Sequence, residues 1–222
     1  MDIQQTIIRF PEIKLQSRDA HKLRGYFGNL FREKSGLLHN HLGNGELRYA
    51  YPQVQYKVIN DIPMLVGISE GAELLQQLFM QIRELHIDQK VWPVNQKNIE
   101  DRAIDIGVVE MPLTYRFESL WMALNQQNHV LYKKSKRNDM KRMLEKTLVG
   151  NCLSFFKSMD LFVEKKIMAS VSVHEKTTRF KNNRMIVFDG EFQANVLLPD
   201  YIGIGKQVAR GFGTIKRLHQ EP

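Results

Sequence analysis

The apolar residues of the first hundred positions switch repeatedly between a two-residue and a 3.6-residue period. The order of those switches restricts the fold more than any other feature of the chain. Thr6 to Leu15 is rich in β-branched and apolar residues and reads as a strand. Ser17 can cap a helix in which Ala20, Leu23, Phe27, Leu30 and Phe31 share one face, with Gly36 ending it. The polar, glycine-containing stretch from Leu38 to Gly45 is then a loop or short hairpin. Tyr49 to Ile59 and Met64 to Ser69 read as two strands joined at Asn60-Asp61. Leu74, Leu75, Leu78, Phe79, Ile82 and Leu85 repeat at helical spacing, and a strand near Ile87 to Val94 closes the unit. Strand, helix, strand, strand, helix, strand is the ferredoxin-like, or RRM-like, βαββαβ order.

The second half is less regular. Tyr115 to Leu124 reads as a strand, and a long helical region follows with Met140, Met143, Leu144, Leu148, Cys152, Phe155 and Met159 on one stripe. Strands around Ile167 to Glu175 and Met185 to Phe188 flank a basic turn, and a last apolar run, Phe192 to Leu198, leads into a glycine-rich segment and a short strand. The boundary between halves falls between Gln96 and Thr114, dividing the chain into 1–105 and 106–222.

Composition narrows the partners. No apolar run is long enough to cross a bilayer, and Met1-Asp2-Ile3-Gln4-Gln5 does not open a signal peptide, so a cytoplasmic protein without a membrane partner is expected. Cys152 is the one cysteine, which excludes a disulfide framework and a thiolate zinc site. The formal charge is +8, which favours a polyanion as partner. The excess is uneven. Lys133, Lys134, Lys136, Arg137, Lys141, Arg142 and Lys146 face only Asp139 and Glu145, and Lys206, Arg210, Lys216 and Arg217 have no acid among them from Tyr201 to His219. The first cluster alone reads as a solvated helix face rather than a binding patch. With the second, it points to nucleic acid.

The segment Gly203-Ile204-Gly205-Lys206-Gln207-Val208-Ala209-Arg210-Gly211-Phe212-Gly213 combines glycines, which let a backbone approach a phosphate, with two cationic side chains. A Walker A loop needs glycine at 200 and Ser or Thr after the lysine, where Asp200 and Gln207 stand. A dinucleotide fingerprint needs glycine in place of Val208 and half a domain beyond it. A hairpin with two glycine bulges is the other reading of the segment. The phosphate grip would use Gly203, Gly205, Lys206, Arg210, Gly211 and Gly213, with Lys133, Lys134, Lys136 and Arg137 as a second RNA-binding patch.

The pattern G-x-G, five residues with a Lys or Arg, G-x-G resembles the C-terminal signature of the RAMP superfamily of CRISPR-associated proteins. More narrowly, the chain resembles the CRISPR-associated endoribonucleases called Cas six, which cut repeat transcripts into guide RNAs. Leu23-Arg24-Gly25-Tyr26-Phe27-Gly28-Asn29-Leu30-Phe31, Tyr51-Pro52-Gln53-Val54-Gln55-Tyr56-Lys57, Leu124-Asn125-Gln126-Gln127-Asn128 and Gly150-Asn151-Cys152-Leu153-Ser154 look like the branch found with type I-B systems. The resemblance implies an α+β fold of two tandem ferredoxin-like domains. As partners it implies CRISPR repeat RNA, other subunits of a CRISPR effector and a second copy in a homodimer, with no cofactor.

His39 and His41 lie in the loop after the first helix, two residues apart, so in extended backbone both imidazoles point the same way. Metal-free RNA cutting needs a base for the 2′-OH and an acid for the leaving 5′-oxygen, and imidazole with a pKa of about 6.5 serves as either. A spaced pair also occurs on plain surfaces and in metal sites, although no third ligand stands at convincing spacing, with Glu33 and Glu46 the nearest candidates. The resemblance implies catalytic histidines at this position. Tyr49 and Tyr51 follow the pair and can orient the nucleophile, and Lys34, Arg48 or Lys57 can offset transition-state charge. The expected reaction is metal-independent cleavage within a CRISPR repeat, leaving a 2′,3′-cyclic phosphate and a 5′-OH. The alternative is a non-catalytic RNA-binding subunit of a guide-RNA complex, and a third is a metal-dependent nuclease.

Overall fold

The computed structural model describes residues 1–31, 51–180 and 183–219, in two compact units. One unit comprises Asp2–Asp105 with Val208–Gly211; the other holds Met1, Ile106–Gln207 and Phe212–Pro222.

The N-terminal unit is built on strands β1 (Asp2–Arg9), β2 (Val54–Ile59), β3 (Ile62–Ile68) and β6 (Asn98–Asp105), in the antiparallel order β2-β3-β1-β6. With β6 as fourth strand this is the ferredoxin-like sheet. Helices α1 (Ala20–Leu30) and α2 (Glu70–Phe79) supply Leu23, Phe27, Leu74, Leu75 and Leu78, which pack with Ile8, Phe10, Tyr56 and Leu65 into one core. Ile8 of β1 and Tyr56 of β2 both pair with Leu65 of β3, so strand alternation puts all three on the helix side. Asn60 and Asp61 both take positive φ, 50° and 63°, so β2 and β3 are joined by the two-residue turn that matches strand twist.

Several expectations for this unit change. The first strand is Asp2–Arg9 rather than Thr6 to Leu15, and the second helix ends at Phe79, with Leu85 on a strand. The run Ile87–Val94 is not the closing strand. Asp88 at φ 56° folds it back, making a separate hairpin of β4 (Glu84–Ile87) and β5 (Lys90–Pro93). The true fourth strand, β6, is an edge strand of mostly polar sequence, so it lacks an apolar period. Its eight-position register with β1 is reinforced by Asp101, which accepts from Thr6 Oγ1 at 2.6 Å and Gln76 Nε2 at 2.7 Å, and by Arg9–Glu100 at 2.8 Å. Nor does Ser17 cap α1. Ser17–Asp19 is a 3-10 turn, and the Asp19 carboxylate accepts from the Gln16 N–H at 3.1 Å. Gly36 lies outside the described residues.

In the C-terminal unit the order is β10-β7-β9-β8, formed by β7 (Gly107–Phe117), β8 (Ala169–Phe180), β9 (Asn183–Leu197) and β10 (Ile215–Arg217). The strand expected at 115–124 therefore lies earlier. Met185–Phe188 and Phe192–Leu197 fall on the single strand β9. Between β7 and β8 run α3 (Gln126–Lys134) and α4 (Arg137–Ser158), and α4 buries Leu144, Leu148, Cys152, Phe155 and Phe156. Burial pushes the Cys152 thiol up to about 12, which leaves it a core residue. Tyr115 stacks on Phe192 at 5.2 Å, and its hydroxyl donates to Val196 O and accepts from Leu198 N.

The strand order repeats the ferredoxin-like one, but the second crossover does not repeat its helix. Between β9 and β10 the described chain holds only a 3-10 turn, Val208–Arg210. The glycine-rich segment occupies the place of that helix.

Candidate nucleic-acid interface

The glycines of this segment shape the chain against its own protein. Gly203 makes a β-bridge with Thr214, and Gly205 lies against Trp121. Gly213, at φ 62°, donates from N to Leu120 O at 2.9 Å and accepts at O from Ile204 N at 2.8 Å. A Cβ there would stand 2.0 Å from Ile204 O, which no side chain survives. Gly211, at φ 89°, donates to Val208 O at 3.3 Å, and a Cβ on it would meet Ala20 Cβ at 2.7 Å. The N–H groups of Gly211 and Gly213 are thus directed at protein carbonyls. What the loop offers an anion is charge: Lys206 is exposed and Arg210 partly so.

Within the N-terminal unit, residues 208–211 rest on β2 and the start of α1. Lys57, in the middle of β2, is fully buried, and its Nζ donates to Val208 O at 3.2 Å. Burial pulls its pKa down to about 7. Lys57 therefore holds the 3-10 turn from beneath and has no exposed charge to offer a transition state. Arg24, one turn along α1 from Ala20, adds positive field at the same place. Burial and then the Arg24 guanidinium lower the basicity of Arg210. Two guanidinium groups brought together from opposite ends of the chain concentrate positive potential where residues 208–211 meet α1.

The second predicted patch is spread over a helix junction. Lys133 and Lys134 end α3, Lys136 is the N-cap of α4 and Arg137 its first residue, all four exposed or nearly so. The α3 dipole favours the first two, whereas cations at the start of α4 add to the positive end of its dipole, a combination suited to an anion. Lys136, Arg137 and Arg142 line a shallow hollow with Asn138 and Asp139.

His39, His41 and Tyr49 lie outside the described residues, as do Lys34 and Arg48. Tyr51 is half-buried just before β2. Among the described residues, no three His, Cys, Asp or Glu side chains gather as metal ligands, and no helix is long and apolar enough to cross a membrane. Sequence reasoning did not find Lys57's structural bond or Arg24's place beside Arg210. Lysine inside Val54-Gln55-Tyr56-Lys57-Val58-Ile59 is the local signal for the first; nothing local signals the second.

Family models agree with this architecture at both ends. Residues 1–105 match the Cas6b N-terminal domain and residues 107–218 the Cas6b C-terminal domain. The chain belongs to the Cas6b family. A solved structure described as Cas6b superposes with a TM-score of 0.93 at 36% identity, covering 98% of this chain and 100% of that one. A second, described as the CRISPR RNA processing endoribonuclease Cas6b, gives 0.80 at 33% over 98% and 100%. An uncharacterized protein of Methanocaldococcus jannaschii is 37% identical over 145 residues, 65% of this Cas6b-family chain and 99% of the relative. The tandem ferredoxin-like fold is that of the family.

Proposed function

We propose that this Cas6b-family chain is an endoribonuclease that cuts CRISPR precursor RNA within each repeat, by attack of a ribose 2′-OH and without metal. The observation that carries the reading is the family match along both units, at 33% identity to a protein described as a CRISPR RNA processing endoribonuclease. Phosphate binding falls to Lys206 and Arg210 of the glycine-rich loop, joined by Arg24, and to Lys133, Lys134, Lys136 and Arg137. The four loop glycines set the conformation that presents Lys206 and Arg210.

His39 and His41 supply proton transfer. One imidazole takes the proton of the 2′-OH, and O2′ then forms a bond to phosphorus while the bond to O5′ breaks. The other imidazole gives its proton to O5′. The products are a 2′,3′-cyclic phosphate and a 5′-OH, with no water consumed and no charge left over. Tyr49 orients the attacking group. The chemistry requires a ribose 2′-OH, and ferredoxin-like sheets commonly read RNA, so single-stranded or hairpin RNA is preferred over duplex DNA.

The test is end analysis of labelled repeat RNA incubated with the wild type and with a His39→Ala/His41→Ala variant. A cyclic phosphate from the wild type and none from the variant is the expected result. A 3′-OH and 5′-phosphate would instead mark a different, metal-assisted hydrolysis. RNA bound firmly but left whole by the wild type would mark a binding subunit.

A further inference from the structure

Leu120, Trp121 and Met122, just after β7, carry the glycine-rich loop. Leu120 O accepts from Gly213 N at 2.9 Å, Met122 O accepts from Lys206 N at 3.0 Å, and between them the Trp121 indole lies against Gly205. A Cβ on Gly205 would stand 2.7 Å from Trp121 Nε1 and 2.9 Å from Cδ1, so the narrow pyrrole edge of the indole faces the loop. The same Nε1 donates to Asn151 Oδ1 of α4 at 3.3 Å. We infer that Asn151 is a positioning residue for RNA binding. By fixing the edge that Trp121 turns toward Gly205, it sets the corner from which Lys206 reaches a phosphate. The inference rests on the proposed RNA-cutting function and adds to it a residue of α4 that acts through two others.

Three observations carry it. The first is how the indole is held. Trp121 is fully buried, its N–H donates to Phe188 O at 2.7 Å, and its O accepts from Phe188 N at 2.9 Å. Its ring stacks on Phe117 at 5.1 Å with 9° between the planes. Stacking fixes the plane of a ring but not which edge points where. A half-turn about χ2 would keep that plane and bring the broader six-membered edge to Gly205, where even a Cβ has no room. The bond to Asn151 selects the pyrrole edge, because a buried indole N–H without an acceptor bears a desolvation cost.

The second is the residue type. Asn151 stands well inside the 22-residue helix α4, beside the buried stripe of Leu148, Cys152 and Phe155. Asparagine is a poor helix former because its amide competes for backbone groups, so its use there points to a task outside the helix. The third is placement of the charge. Lys206 is exposed and follows Gly205, which takes φ 102°. Its own N–H is tied to Met122 O, so the position of its backbone follows residues 121 and 122. An indole that turned its wide edge to Gly205 would displace the point from which the lysine side chain starts.

The experiment is a double-mutant cycle on the full chain, with wild type, Asn151→Leu, Lys206→Ala and the pair each titrated with repeat RNA and melted. The chain has two tryptophans, Trp92 and Trp121, so the indole N–H signals in a nitrogen–proton NMR spectrum report the bond directly, with Trp121→Phe assigning them. Asn151→Leu should shift the Trp121 indole signal. It should weaken binding about threefold to tenfold when Lys206 is present and by less than about twofold when it is absent. Asn151→Ser, whose hydroxyl is too short to reach Nε1, runs through the same cycle and gives the answer if leucine perturbs the fold. A lowered melting temperature with RNA affinity unchanged would assign Asn151 to folding alone and overturn the inference. Equal losses of affinity with and without Lys206 would overturn it too, and both results leave the proposed activity standing. A wild type that neither binds nor cuts the repeat overturns the activity, and the role of Asn151 with it.

Discussion

Lys57 is the residue at which stability and function pull in opposite directions. Its ordinary pKa of 10.5 falls to about 7 in the folded protein because burial disfavours the ammonium. Between those two values the unfolded chain keeps a proton that the folded chain has released, so stability contributed by this site rises with pH. Below pH 7 the full cost of burying the charge is present, on the order of a few kcal/mol. Lys57→Met is expected to stabilise the protein by about 1–3 kcal/mol at pH 6, with the gain shrinking toward pH 10. The same variant removes the bond to Val208 O and should weaken RNA binding. Denaturant titrations at several pH values check the first; a gain independent of pH would contradict it. The loop glycines invite a paired comparison. Gly213→Ala should cost about 3 kcal/mol or more, from the clash with Ile204 O and the positive φ. Lys206→Ala should leave stability within about 0.5 kcal/mol and lower RNA affinity. Equal losses of stability in the two variants would refute this division between shape and charge.

At the scale of elements, the junction of α3 and α4 gathers four cations at one helix end and the start of the next. Replacing Lys133, Lys134, Lys136 and Arg137 with glutamine should reduce the slope of log affinity against log salt, by up to about 0.7 for each phosphate no longer neutralised. Melting should barely move. An unchanged slope would show that this face is merely solvated. These helices were legible in the sequence because each buries one stripe: Leu23 and Phe27 in α1, Leu74 and Leu78 in α2, Leu144 and Leu148 in α4. The Asn60-Asp61 turn was legible through its chemistry. Strand β6 was not, because an exposed edge strand such as Asn98–Asp105 is held by its ladder and side-chain bonds rather than by an apolar face. The role of the loop glycines was only half legible. Their positions stand in the sequence, but what each must avoid, Ala20 for Gly211 and Ile204 O for Gly213, depends on how the chain packs.

Considered whole, the molecule uses the ferredoxin-like strand order twice and replaces the second copy's crossover helix with a loop. That exchange gives one unit a complete α/β layer pair and the other a basic, glycine-shaped connection between β9 and β10. Family membership explains why both halves carry the order, and it makes the function testable by chemistry. Everything proposed for the reaction turns on cleavage through a ribose 2′-oxygen without metal. The direct measurement is the single-turnover rate on repeat RNA in excess EDTA, set against the same RNA carrying one 2′-deoxy residue at the scissile position. Undiminished cutting of the all-ribose repeat and no cutting of the substituted one are expected. Cleavage abolished by EDTA, or a 2′-deoxy substrate cut at the same bond, would contradict that mechanism.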